Sequence, residues 1–269
     1  MENLPKSLEL SGALEIANRL KSISGGKVLD ICTATGDFIR TLMKTLKDYD
    51  WFVGMDISKK DLETAKKQFE NQPVEIIEMN AETLEFENGS FDTVCLSHSL
   101  HHLEKIDKVL TEIKRVLRPD GCFILQESYC DGEQTEAQKA EILQHHWISE
   151  IDSLQGIPHN NTLSKQKIKE IIANLGLKEI EIIDSTHYVK CLLCENKFKC
   201  EDPKNEDNIN FGIKEVDDAL DRLKEHPDWE KLKEEPKYRT LKQESEKIKQ
   251  RIKEVGIAPA SILFIIGKK

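Results

Sequence analysis

Short apolar runs alternate along this chain with longer stretches of helical periodicity. The runs at 27–31, 51–55, 74–78 and 92–97 have the length and flanking turn residues of buried strands. Apolar positions recur at helical spacing through 36–47, 58–70 and 105–117. An opening helix is predicted over 8–22, with Leu10, Leu14, Ala17 and Leu20 on one face. A fifth strand follows at 122–128. Strands separated by helices predict an α/β fold, a mostly parallel, doubly wound sheet with ligands at the carboxyl ends of its strands.

Beyond residue 130 the pattern changes. Helices are predicted over 133–149 and 163–175, the second ending at Gly176, a plausible C-cap. A sixth strand runs from Glu179 to Asp184, with an extension towards Val189, and Ser261 to Ile266 closes the sheet. Between them, 190–258 is dense in charge of both signs, yet it is periodic. Tyr238, Leu241, Ser245, Ile248, Ile252 and Val255 repeat at spacings of three and four. Ile213, Val216, Leu220 and Leu223 form a similar stripe, with Trp229 and Leu232 between the two. This predicts a two- or three-helix insertion with inward apolar faces, either a solvated decoration or a lid over a substrate site. The expected organisation is therefore one domain of 1–189 plus 259–269, interrupted by a helical insertion at 190–258.

Composition narrows the partners. The chain of 269 residues can bury a full α/β core, and its net charge of −10 argues against a nucleic-acid substrate. No run of 18 or more apolar residues suggests a membrane span, and Met1 to Ser11 lack a signal-peptide layout. Seven cysteines, an odd number, fit reduced thiols in the cytoplasm.

Chemistry concentrates after the first strand. Val28-Leu29-Asp30-Ile31 runs into the small-residue turn Cys32-Thr33-Ala34-Thr35-Gly36 and then a helix. Twenty residues past Gly36, the second strand ends in Asp56-Ile57. A tight turn with an acid at that distance suits a ligand carrying a nucleoside, since the carboxylate can accept from ribose hydroxyls.

Read from Asp30, this segment resembles motif I of the class I, Rossmann-like S-adenosylmethionine (SAM) methyltransferases, with Cys32 and Ala34 standing where that family usually has glycine. The resemblance continues through Met79-Asn80-Ala81-Glu82, Ser90-Phe91-Asp92-Thr93-Val94, Ser97-His98-Ser99-Leu100-His101-His102 and Val116-Leu117-Arg118-Pro119-Asp120-Gly121, in order over roughly 25–130. It is closest to the ubiquinone- and menaquinone-biosynthesis type. The resemblance implies a seven-stranded Rossmann-like methyltransferase sheet whose last strand inserts antiparallel beside the fifth. It implies SAM over Asp30, Cys32, Ala34 and Gly36, Asp56 on the ribose, Ile57 also in contact with the cofactor, Asn80 and Ala81 at adenine, and Ser97 facing the sulfonium. It also implies transfer of a methyl group to a small-molecule acceptor. The family commonly carries a His pair after strand four whose second member packs structurally, so His102 is read either as packing or as a base. His98 is the better placed candidate base.

Two further clusters stand out. His145, His146, Glu150, Asp152 and His159 share one helix and the following loop, where they could orient a polar acceptor or ligate a metal, or simply form a polar surface. Cys191-x-x-Cys194, with Cys200 and Cys130, is a candidate zinc site against free thiols as the alternative. A competing reading of the whole chain is a non-catalytic SAM or nucleoside binder, or a metal-binding interaction module.

Overall fold

The computed structural model describes residues 12–186 and 201–269. In chain order the elements are α1 (Ala13–Leu20), β1 (Lys27–Ile31), α2 (Asp37–Thr45), β2 (Trp51–Asp56), α3 (Lys59–Gln68), β3 (Val74–Glu78), β4 (Phe91–Ser97), α4 (Ile106–Val116), β5 (Leu117–Ser128), α5 (Glu136–Leu154), α6 (Lys165–Ala173), β6 (Lys178–Ser185), α7 (Glu206–Lys224), α8 (Trp229–Leu232), α9 (Pro236–Val255) and β7 (Ile262–Lys268). They fall into two compact units, a sheet unit of Met1–Glu127, Gln166–Ser185 and Ile262–Lys269, and a helical unit of Ser128–Lys165 and Thr186–Ser261.

The sheet has seven strands in the order β3-β2-β1-β4-β5-β7-β6. β1 pairs in parallel with both β2 and β4, so the strand order reverses there and leaves a crevice at their carboxyl ends. β7 is the antiparallel exception. It pairs antiparallel with β6, and it runs against β5, because Tyr129 N–H bonds the Ser261 carbonyl at one end while Lys269 N–H bonds Gly121 at the other. The central strands are buried along nearly their whole length, as apolar runs without alternation require. The expected fold is thus present, with one local difference. β5 begins at Leu117 rather than 122, because Phe91 faces Leu117 and Thr93 faces Cys122, so three extra residues bulge out of the ladder around Pro119, Asp120 and Gly121.

The helical unit is built on the stripes read from the sequence. α5 starts with a reciprocal cap in which Thr135 Oγ1 accepts the Gln138 N–H and Gln138 Oε1 accepts the Thr135 N–H. Ala140, Trp147 and Ile151 of α5 then pack with Val216, Ala219 and Leu223 of α7 and with Tyr238, Leu241, Ile248 and Ile252 of α9. Trp147 Nε1 donates to the Leu241 carbonyl at 2.9 Å, which satisfies the one polar atom of that ring inside the core. α5 belongs to this unit, because it shares its apolar core with α7 and α9. Among the described residues, no helix is long and apolar enough to cross a membrane.

This core gives a direct stability test. Ile252 is fully buried, so Ile252→Ala should cost about 2–5 kcal/mol through lost transfer energy and the cavity left behind. Urea unfolding should show a lower midpoint; a change below about 0.5 kcal/mol would mean that the helices are a solvated decoration after all.

Candidate active site

The site begins with a carboxyl group sealed inside the sheet. Asp30 lies in β1 between Gly54 of β2 and Cys95 of β4, and is 1% exposed. Thr33 Oγ1 donates to its Oδ2 at 2.6 Å and Cys95 Sγ to its Oδ1 at 3.3 Å. Gly54 makes room for this: a β-carbon there would stand 3.0 Å from Thr33 Oγ1 and closer still to Ile39 and Ile76. Burial pushes the Asp30 carboxyl up to about 7, against the lowering effect of the Thr33 and Cys95 bonds.

The turn after β1 is left-handed at alternate residues, with φ of 56° at Cys32, 46° at Ala34 and 85° at Gly36. Cys32 and Ala34 thus keep the backbone shape that glycine would adopt freely, at a cost of roughly 1 kcal/mol each. Three bonds hold it: Thr33 N–H to the Met55 carbonyl, Ala34 N–H to Asp56 Oδ2, and Gly36 N–H to the Thr33 carbonyl, at 2.9, 2.9 and 2.7 Å. At Gly36 no side chain fits, because a β-carbon would lie 2.3 Å from the Phe69 ring. Burial, with Asp56 and Asp30 nearby, pushes the Cys32 thiol up to about 12, so it is neutral and not a nucleophile.

Asp56 ties the turn to the end of β2. Its Oδ1 accepts the Ser58 N–H at 2.9 Å while Oδ2 holds Ala34, and each oxygen retains a lone pair for a ligand hydroxyl. Beside it Ile57 is 67% exposed, a bare apolar face at the head of the site. Met79 N–H bonds the Asp56 carbonyl, which brings Asn80 and the buried Ala81 to the same strand ends. Asn80 Oδ1 accepts the Glu82 N–H at 2.8 Å, fixing that side chain.

After β4 the chain turns sharply. Ser97 accepts the Ser99 hydroxyl on its carbonyl at 2.7 Å, and His98 is exposed with φ of 49°. His98 Nε2 lies 2.8 Å from Gln126 Nε2. Of the neighbouring pair it is His101, and not His102, that packs: His101 is buried and His102 exposed. The reason is Glu127, a residue that the sequence reading did not single out. Its Oε1 meets His101 Nδ1 at 2.7 Å, and its Oε2 accepts the N–H groups of Ser99 and Leu100 at 3.0 and 2.9 Å. Burial would raise the Glu127 carboxyl, but His101, His98 and the Leu100 N–H hold it below its ordinary value. An acid two residues after the apolar run Phe123-Ile124-Leu125 was the available signal.

The helical unit brings together some of the second histidine cluster. His159 Nδ1 meets Asp152 Oδ2 at 2.7 Å, His159 Nε2 lies 3.2 Å from His145 Nε2, and His145 Nδ1 lies 3.2 Å from Thr162 Oγ1. Arg222 donates to Asp152 Oδ1 at 3.1 Å. Burial opposes ionisation of Asp152, yet His159 and Arg222 hold its carboxyl below the usual range. Glu150 reaches Lys237 at 3.6 Å, and the His146 ring centroid is 6.3 Å from that of His145. Cys130 N–H bonds the Leu163 carbonyl, while Cys191, Cys194 and Cys200 lie outside the described residues.

Glu127 provides the test for the β4 turn. A carboxylate whose folded value is depressed stabilises the fold above its ordinary value near 4.5 and loses that contribution as pH falls through the folded value. Glu127→Ala should cost about 3–5 kcal/mol at neutral pH by leaving buried donors unmatched. Its loss of stability towards acid should also be shallower than in the parent; an identical acid limb in both proteins would refute the role.

Residues 29–125 match the family model of a methyltransferase domain. A demethylmenaquinone methyltransferase of Lactococcus lactis is 34% identical over 113 residues, 41% of this chain and 45% of that protein. The ubiquinone/menaquinone biosynthesis C-methyltransferase UbiE of Bartonella bacilliformis is 32% identical over 110 residues, 39% of this chain and 42% of that one. The matches span a little under half the length of these curated relatives. Among solved structures, phosphoethanolamine N-methyltransferase 2 of Haemonchus contortus with SAM has a TM-score of 0.51 at 21% identity, covering 96% of this chain and 52% of that one. The cyclase SpnF has a TM-score of 0.56 at 14% identity, covering 95% and 78%. Likeness at those identities concerns the fold alone. Over residues 29–125 the chain thus carries a domain similar to the quinone-biosynthesis methyltransferases, set in the Rossmann-like SAM methyltransferase fold.

Proposed function

We propose that this protein transfers a methyl group from SAM to a small-molecule acceptor. The observation that carries the reading is the turn from Asp30 to Gly36 tied to Asp56, in a domain matched to methyltransferases. The residues fit the cofactor chemically. Asp56 has lone pairs for two ribose hydroxyls, Ile57 offers an apolar face to a purine, and Asn80 with Ala81 stands beside it. Asp30 places a carboxyl group below the turn where a cationic ligand would restore its ionisation. SAM supplies an already activated methyl group on a sulfonium, so the protein's part is alignment and, where the acceptor needs it, removal of a proton.

Ser97 and the exposed His98 and His102 are the groups assigned to the reacting end, with His98 and His102 as candidate bases. His101 and Glu127 position that turn from within the fold. In the helical unit, His145, His146, Glu150 and His159 are the candidate acceptor-binding residues, of which His145 and His159 are already joined. The net charge of −10 supports a small molecule over a nucleic acid, and the odd number of cysteines supports a cytoplasmic setting. Cys191-x-x-Cys194 with Cys200 and Cys130 is retained as a candidate zinc half-site. The non-catalytic alternative rests on Cys32 and Ala34, and the left-handed geometry both residues retain weighs against it.

Calorimetric titration with SAM and S-adenosylhomocysteine is the direct test. Asp56→Ala should weaken both by at least about tenfold, since hydrogen bonds to an ionised group contribute roughly 1.5–3 kcal/mol. No binding of either compound to the parent protein would end this reading, whereas tight binding without turnover on any acceptor would favour the non-catalytic one. A second signature comes from Asp30. With its carboxyl near 7 in the free protein, a bound cation should release roughly half a proton per chain at pH 7. Titrations in buffers of different ionisation enthalpy should show this release, and Asp30→Asn should abolish it.

A further inference from the structure

We propose that His145 and His159 of the helical unit form a binding site for one divalent transition-metal ion of the zinc class. The argument rests on how the four ring nitrogens are arranged. The two Nε2 atoms face each other at 3.2 Å, with the ring planes at 80° and the centroids 4.7 Å apart. Two imidazole nitrogens on one tetrahedral ion at about 2.0–2.1 Å would be separated by roughly 3.3–3.4 Å. The observed spacing is within about 0.2 Å of that value without any rearrangement.

The outer nitrogens carry the pattern expected of metal-binding histidines. His159 Nδ1 meets Asp152 Oδ2 at 2.7 Å, and an ionised carboxylate can only accept, so a proton lies on Nδ1 and the neutral ring carries its lone pair on Nε2. Asp152 is fixed in turn by Arg222 on its other oxygen. This makes a carboxylate–histidine pair of the kind that orients a ligand ring and raises its basicity. His145 Nδ1 lies 3.2 Å from the hydroxyl of the buried Thr162, which can donate or accept by rotating.

Without metal, Thr162 can donate to His145 Nδ1 and His145 Nε2–H to His159 Nε2. With metal, the His145 proton moves from Nε2 to Nδ1 and Thr162 becomes the acceptor. Both Nε2 lone pairs then point at the ion. The change is a tautomer shift and one hydroxyl rotation, with no proton gained or lost by the pair. Two imidazole nitrogens fill two of the four positions that a tetrahedral ion of this class takes. The proposed ligands are imidazoles and not the thiols of Cys191, Cys194 and Cys200, and binding here requires neither SAM nor turnover.

The test uses the full chain, stripped with a chelator and dialysed, then titrated with Zn2+ by calorimetry and with Co2+ by visible absorption. One ion per chain should bind at this site, with a Co2+ spectrum free of thiolate charge-transfer bands. A Cys191→Ser, Cys194→Ser, Cys200→Ser triple variant should retain it. His145→Gln and His159→Gln should each remove it, and Asp152→Asn should weaken it by about 10- to 100-fold. In the unsubstituted chain, Co2+ should also shift or broaden the imidazole NMR signals of His145 and His159, a readout that survives if a variant fails to fold. Binding lost only in the cysteine variant, unchanged in both histidine variants, or absent altogether would overturn the proposal; the last result would leave a shared proton as what joins the two rings.

Discussion

A carboxyl group buried in the centre of a parallel sheet is the constraint around which this site is arranged. Asp30 is carried into the core by β1, and water cannot reach it, so its oxygens must be met from within. Thr33 meets one oxygen from the turn itself, and Cys95 meets the other from β4. That requirement draws the turn back over the strand end and gives Gly54 its reason, since a larger residue would press on Thr33. It also explains why the turn tolerates Cys32 and Ala34. The hydrogen bonds to Asp30, Asp56 and Met55 impose the left-handed backbone, and two modest strain terms do not outweigh them.

A second buried carboxylate works the other way. Asp30 is surrounded by neutral donors and is pushed up by burial, whereas Glu127 meets an imidazole and two backbone N–H groups and is held down. The first is poised to respond to a positively charged ligand. The second locks the Ser99–His101 turn, so that exposed His98 and His102 are presented from a fixed backbone. Two acids near the carboxyl ends of β1 and β5, with β4 between them, thus take different roles because their partners differ, not because their burial does.

The helical unit shows that charge density and order are compatible. Its surface is crowded with lysine, glutamate and aspartate, yet α5, α7 and α9 each turn an apolar stripe inward. Ion pairs such as Lys249 with Asp217 lie on the outside, where each contributes little, and the packed core carries the stability. Within this unit Asp152, His159, His145 and Thr162 form a polar chain, each within hydrogen-bond distance of the next.

The strands β1 to β4, their helices and the amphipathic stripes of 206–255 were legible in the sequence because hydrophobic periodicity is a local property. So were the turn at Asp30 and the acid at Asp56, whose spacing is fixed by one β–α–β passage. Tertiary structure alone decided what depends on meetings between distant residues. It joined residues 128–165 to the insertion, because Trp147 and Ile151 bury against helices some 90 residues away. It chose His101 over His102 as the packed histidine, because Nδ1 of the buried His101 reaches Glu127 across the β4–β5 pair. It also paired His145 with His159 rather than with its helical neighbours. Spacing along a helix determines which face a residue occupies; whether a buried nitrogen finds its partner is determined by which loop the fold returns to that face.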